Sequence, residues 1–128
     1  MIRTMLGGKI HRARVTGACI DYIGSVTIDA ALMEAAGMQE NEQVHIVNLE
    51  NGHRWVTYAI PGGPGDIVLN GGGARLCVPG DILVIMSYVQ VPDGVQHEPR
   101  IVFVDEQNRP YDPEEAVEHG LCNRARPR

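Results

Sequence analysis

Short runs rich in Val, Ile and Thr recur along the chain, separated by Gly, Pro, Asn and Asp. Runs of this length between such breaks predict the strands of a small sheet or barrel rather than βαβ units. They place strands over residues 1–6, 9–16, 23–28, 43–48, 54–60, 67–69, 82–88 and 100–104. Two segments read as helices. Asp29 can cap the run A-A-L-M-E-A-A, with Gly37 placed to end it. Asp112-Pro113-Glu114-Glu115 offers a cap, a proline at the first helical position and an acid in the first turn, with Gly120 as the stop.

Local turn chemistry sharpens this picture. Asn51-Gly52 tolerates positive φ and predicts a hairpin between the strands on either side. On the second of these strands Arg54, Val56 and Tyr58 then share one face and Thr57 points to the other, unless a bulge intervenes. Residues 61–66, P-G-G-P-G-D, are too irregular for either kind of element. In N-G-G-G-A, residues 70–74, the lack of side chains lets backbone N–H groups come close to a ligand.

The 128 residues suit one domain with a modest core. A net charge of −5 gives no general attraction to nucleic acid, and Arg124, Arg126 and Arg128 read as a solvated tail. Cys19, Cys77 and Cys122 are odd in number and widely spaced, without a C-x-x-C pair for zinc or redox exchange. No run approaches the roughly 18 apolar residues of a membrane span, and no secretory apolar segment follows the N-terminus. These features predict a soluble cytoplasmic protein with reduced thiols.

One dipeptide stands apart. Gly24-Ser25 interrupts Y-I-G-S-V-T-I-D, where apolar β-branched residues crowd both sides. Such a step is ordinarily a turn or a bulge. It occurs here with K-I-H-R-A-R-V-T (9–16), N-G-H-R-W-V-T-Y-A-I (51–60), N-G-G-G-A (70–74) and P-G-D-I-L-V-I (79–85), in that order. Over about residues 1–105 this set resembles the pyruvoyl-dependent aspartate 1-decarboxylases.

The resemblance implies an all-β fold, a six-stranded double-psi β-barrel with short helices, assembled as a homotetramer with sites between subunits. It implies self-cleavage between Gly24 and Ser25, giving residues 1–24 and 25–128, with 106–128 a variable tail. The Ser25 hydroxyl would attack the Gly24 carbonyl, with Thr57 bonding the Gly24 oxygen, and residue 25 would become a pyruvoyl group. That ketone would form a Schiff base with L-aspartate and replace pyridoxal phosphate, with no metal required. The product β-alanine would enter pantothenate and coenzyme A synthesis.

By the same resemblance Tyr58 is the proton donor. Arg54 and Lys9 hold or attract the acidic substrate, Thr57, Gly71, Gly72 and Gly73 contact it, and Asn70, His11 and Tyr22 support the site. The family's loop commonly reads Asn-Gly-Ala-Ala-Ala-His, so Gly72, Gly73 and Arg75 depart from it. An accessory maturation factor is compatible with this reading. Two alternatives stand beside it: a noncatalytic barrel module with Gly24-Ser25 intact, and a pyruvoyl decarboxylase for another small acidic amino acid.

Overall fold

The computed structural model describes residues 1–114, in strands β1 (Ile2–Arg14), β2 (Gly17–Cys19), β3 (Ser25–Asp29), β4 (Gln43–Asn48), β5 (Arg54–Gly62), β6 (Ile67–Asn70), β7 (Ile82–Pro92) and β8 (Arg100–Phe103). Helix α1 (Ala30–Ala36) follows β3, and a 3-10 turn spans Gly71–Arg75. The ladders run in the order β2-β6-β3-β5-β4-β7-β1-β8. The chain is thus all-β with a short helix, as expected. Six strands lie between β2 and β8, which add short strands at the two ends.

The sheet must curl. Five strands separate β2 from β1 in the hydrogen-bonded order, a path of about 29 Å if flat. Only Val15 and Thr16 join those two strands along the chain, a link that spans at most about 11 Å. Val15 N donates to Asp81 O, Thr16 N donates to Ile67 O, and the Thr16 hydroxyl accepts from Ile67 N at 3.0 Å. These bonds fasten the seam that brings β1 back to β6.

The concave face is apolar because cross-strand partners are. Val26 stands opposite both Ala59 and Leu69, Ile28 opposite Ile67, and Ile85 opposite both Ile46 and Ile10, all fully buried. Each large aliphatic side chain so removed from water contributes roughly 1.5–3 kcal/mol. Helix α1 adds Leu32, Met33 and Ala36 to this core. Its start is capped by Asp29, which accepts from Ala31 N at 2.8 Å, and its end by Gly37 at φ 72°.

Several boundaries differ from expectation. The strands foreseen over 1–6 and 9–16 are one strand, β1, which passes through Gly7-Gly8 by register shifts between Leu6 and Gly8 and between His11 and Ala13. Arg12, at φ 70°, is the second irregularity. Strand β2 was not foreseen, and β7 runs four residues further than expected. Residues 23 and 24 lie outside β3, which begins at Ser25. Beyond β8, buried Asn108 donates to Arg14 O and Gly65 O and accepts from Arg14 N, so residues 105–111 pack against the sheet. In the second expected helix, Asp112 accepts from Glu114 N, and residues 115–120 lie outside the described residues.

Gly8 explains why α1 can dock on β1. A Cβ at residue 8 would collide with the Ala36 carbonyl oxygen, a backbone atom that cannot swing aside. Gly8→Ala should therefore force α1 away from β1 and lower stability by about 1–3 kcal/mol. Chemical denaturation measures this directly, and an unchanged midpoint would show that the helix does not depend on that approach.

Candidate active site

Ser25 opens β3 and is only 2% exposed, although the residues leading to it, Ile20, Tyr22 and Ile23, lie in solvent. Its hydroxyl donates weakly to Ile23 O at 3.4 Å and accepts from Asn70 Nδ2 at 3.0 Å. The same amide donates to Thr27 Oγ1 at 3.1 Å. Asn70 is buried at the end of β6, where the antiparallel register sets it opposite Ser25. A buried amide–hydroxyl bond of this kind contributes about 1 kcal/mol, and it fixes where the hydroxyl sits.

Gly71 presses against this dipeptide. It has φ 68°, and a Cβ on it would lie 2.6 Å from Gly24 Cα, 2.9 Å from Gly24 N and 3.2 Å from Tyr22 O. Only glycine permits both that conformation and that approach. At Gly24 itself there is room, the nearest atom to a Cβ being Asn70 O at 4.0 Å. The steric demand for glycine thus falls on residue 71, one strand away from the bond.

Register decides which other side chains share this face. In the parallel ladder Val26 pairs with Ala59 and Thr27 with Ile60, so one step back along both strands sets Ser25 beside Tyr58. From Tyr58 the directly opposed pairs continue outward: Gln43 with Tyr58, His45 with Val56, Val47 with Arg54, then Met86 with His45 and Lys9 with Met86. Directly opposed residues project to the same side of a sheet. Ser25, Tyr58, Arg54, His45, Lys9 and His11 therefore all belong to the convex face.

Thr57 lies on the opposite side, paired with Val44, and no hydrogen bond joins it to Gly24 among the described residues. Lys9 stands on β1, which is hydrogen-bonded to β7 and β8 and not to β3, β5 or β6. Ser25, Asn70, Gly71 and Tyr22 are brought together around the Gly24 bond, Tyr58 borders them, and Lys9 and His11 stand apart on β1. Lys9 and Arg54 take part in none of the ion pairs of the described residues, Arg3–Asp93, Arg14–Glu106 and Arg109–Asp105. An open depression of about 360 Å³ on the same convex face is lined by Thr4, Gln43, His45, Tyr88 and Gln90. Among the described residues no cluster of His, Cys, Asp and Glu could hold a metal ion, and no helix is long and apolar enough to cross a membrane.

Two neighbours of the site escaped the sequence reading. Thr27 shares Asn70 with Ser25, and its signal was the period of two from Ser25 along β3. Trp55 packs against the core from β5, and its buried Nε1 has no partner among the described residues. An indole N–H left so costs about 1–3 kcal/mol. A Cβ at Gly73 would lie 2.8 Å from that nitrogen, whereas one at Gly72 would meet nothing within 4 Å.

Burial raises the Cys77 thiol to about 11, with Asp81 adding to it, so this cysteine is held protonated and unreactive. His11 is displaced below its ordinary 6.5, first by burial and then by Lys9 and Arg12. Its ring meets Phe103 edge-on at 5.3 Å. The folded ring resists protonation more than the unfolded one, so the unfolded chain binds the proton first as pH falls below 6.5. Whatever the neutral ring contributes is intact above that pH and declines below it, until the folded ring also protonates. His11→Gln should accordingly flatten the fall in melting temperature between about pH 7 and pH 5, and an unchanged slope would remove His11 from acid sensitivity.

Comparison with known proteins places the chain in a family. A family model described as aspartate decarboxylase matches residues 1–111. Aspartate 1-decarboxylase 2 of Gloeobacter violaceus is 50% identical over 123 residues, covering 93% of this chain and 98% of its own. Aspartate 1-decarboxylase of Neisseria meningitidis is 55% identical, and that of a Geobacillus species 52% identical, each over 113 residues, 85% of this chain and 89% of theirs. With so much of its length matched and a buried serine held beside a glycine-lined turn, this chain belongs to the aspartate decarboxylase family.

Proposed function

We propose that the protein decarboxylates L-aspartate at its α-carbon, releasing CO2 and β-alanine, after cleaving itself between Gly24 and Ser25. Family membership supports the reaction, and the Asn70–Ser25 bond beside the Gly71 contact is the observation that carries the maturation. In maturation the Ser25 oxygen bonds to the Gly24 carbonyl carbon and the carbon–nitrogen bond breaks. The hydroxyl proton ends on the freed amine, and an ester joins the two pieces. Loss of the Ser25 α-proton then expels the Gly24 carboxylate, which carries away the former serine oxygen. Water releases ammonia from residue 25 and leaves a ketone there.

The residues present fit this chemistry. Asn70 Nδ2 already donates to the oxygen on which negative charge grows as the carboxylate leaves. The pyruvoyl ketone, once formed, supplies an electron sink for the pair left behind by departing CO2. Tyr58 holds a phenolic proton on the face where the substrate Cα would receive it. Arg54 offers a planar fork to a carboxylate, and Lys9 a point charge. Lys9 stands on a strand that does not pair with β3, β5 or β6, and we assign it to act from a second copy, in keeping with a homotetramer whose sites lie between subunits. We assign the product to pantothenate and coenzyme A synthesis in the cytoplasm, with no nucleic-acid or membrane partner.

The assay is incubation of the cleaved protein with L-aspartate, with L-glutamate in parallel. β-Alanine and CO2 should appear in equal amounts from aspartate alone. Fully cleaved protein that releases neither overturns the assignment, and turnover of glutamate transfers it to a broader acidic amino acid. Asn70→Ala should slow cleavage by roughly 10²-fold while the chain stays folded, because it removes a donor from the developing carboxylate. Time-resolved denaturing mass spectrometry measures that rate, and cleavage at the parent rate would exclude Asn70 from the step.

A further inference from the structure

Trp55 and Gly73 form a complementary pair at the edge of the turn that carries Gly71. The indole occupies the place a side chain at residue 73 would need: a Cβ there would meet Nε1 at 2.8 Å, Cε2 at 3.5 Å and Cδ1 at 3.6 Å. Two residues earlier the same turn sets Gly71 against Gly24. The turn is short; Leu76 N and Cys77 Sγ donate to Gly73 O, and the Asn48 and Asn51 side-chain amides tie its end by donating to Leu76 O. No hydrogen bond explains the indole's position, since its Nε1 is buried and unpartnered among the described residues. Packing against the core and the turn holds it there.

We propose that Trp55 is a positioning residue for cleavage at Gly24–Ser25, bracing the Gly71–Arg75 turn through Gly73 so that Gly71 and Asn70 stay seated on the reacting bond. The inference rests on the maturation reading above. It accounts for two features that reading leaves open: a large aromatic ring beside a side-chain-free residue, and a buried donor with nothing to bond. It also gives the departure at Gly73 a cause, because alanine there and tryptophan at 55 cannot coexist without one of them moving. Trp55 acts through the turn and touches neither the substrate nor the reacting atoms.

The test uses Gly73→Ala, Trp55→Leu and the double variant, made as full-length chains by cell-free synthesis and followed by denaturing mass spectrometry. Circular dichroism checks the fold. Gly73→Ala should slow cleavage by about tenfold or more, because displacement of the turn misplaces the groups on the bond. Leucine ends at its δ carbons, so Trp55→Leu removes Nε1 and Cε2 and makes room for the new methyl. The double variant should therefore cleave faster than Gly73→Ala alone. Parent-rate cleavage by Gly73→Ala overturns the proposal, as does a double variant no faster than that single one. If Gly73→Ala does not fold, Trp55→Leu alone should still cleave more slowly than the parent, and an unchanged rate is contrary.

Trp55 is the sole tryptophan of the chain, so its emission gives a readout independent of cleavage. In a Ser25→Ala background, where the bond stays whole, Gly73→Ala should shift the Trp55 emission. An unmoved spectrum overturns the bracing contact whatever becomes of the bond. A parent chain that never cleaves, with the emission shift present, instead counts against the maturation reading and leaves the bracing contact standing.

Discussion

The site depends on a backbone-to-backbone contact: Gly71 packed on Gly24 closely enough that no side chain could come between them. That approach is possible because β6 and β3 are hydrogen-bonded neighbours with Asn70 opposite Ser25, so the turn after β6 must cross the residues before β3. The contact and the Asn70 amide act on the same two residues from adjacent positions. A serine hydroxyl removed from water and held by a fixed donor differs from one in a mobile turn, because its orientation is settled before any reaction begins.

The rest of the fold serves that juxtaposition. The apolar concave face anchors β3, β5 and β6 through Val26, Ala59 and Leu69, which are buried without exposure. Those anchors leave the convex side of the same strands to carry Ser25, Tyr58 and Asn70. Because a strand alternates faces, burying Val26 and Ile28 compels Ser25 and Thr27 to the other side. Core packing and site assembly are thus the same constraint read on two faces of one sheet. The convex face also exposes Val56, Tyr88 and Ile101 beside Lys9 and His45, an apolar and polar mixture suited to contact with another copy.

Much of this could be read from residue order alone. Turn residues and β-branched runs marked most strands, Asp29 and Gly37 marked the helix, and period two placed Arg54, Val56 and Tyr58 together. What escaped notice depended on distant partners. Gly7-Gly8 looked like a break, but β7 and β8 flank β1 there and keep it continuous. Strand β2 has three residues and exists because β6 lies beside it. At the site, attention fell on Gly24 as the residue whose carbonyl is attacked, whereas the tight steric requirement for glycine falls at 71, and Gly73 gains meaning only once Trp55 stands next to it. Local sequence carries propensity; close approaches between strands far apart in the chain are not written in any short window.

The most direct measurement is the mass of the mature protein after denaturation. The account predicts two species, residues 1–24 and residues 25–128, with the larger one beginning in a ketone in place of the serine amine. A single unbroken mass from a preparation that turns over aspartate at full rate would contradict it.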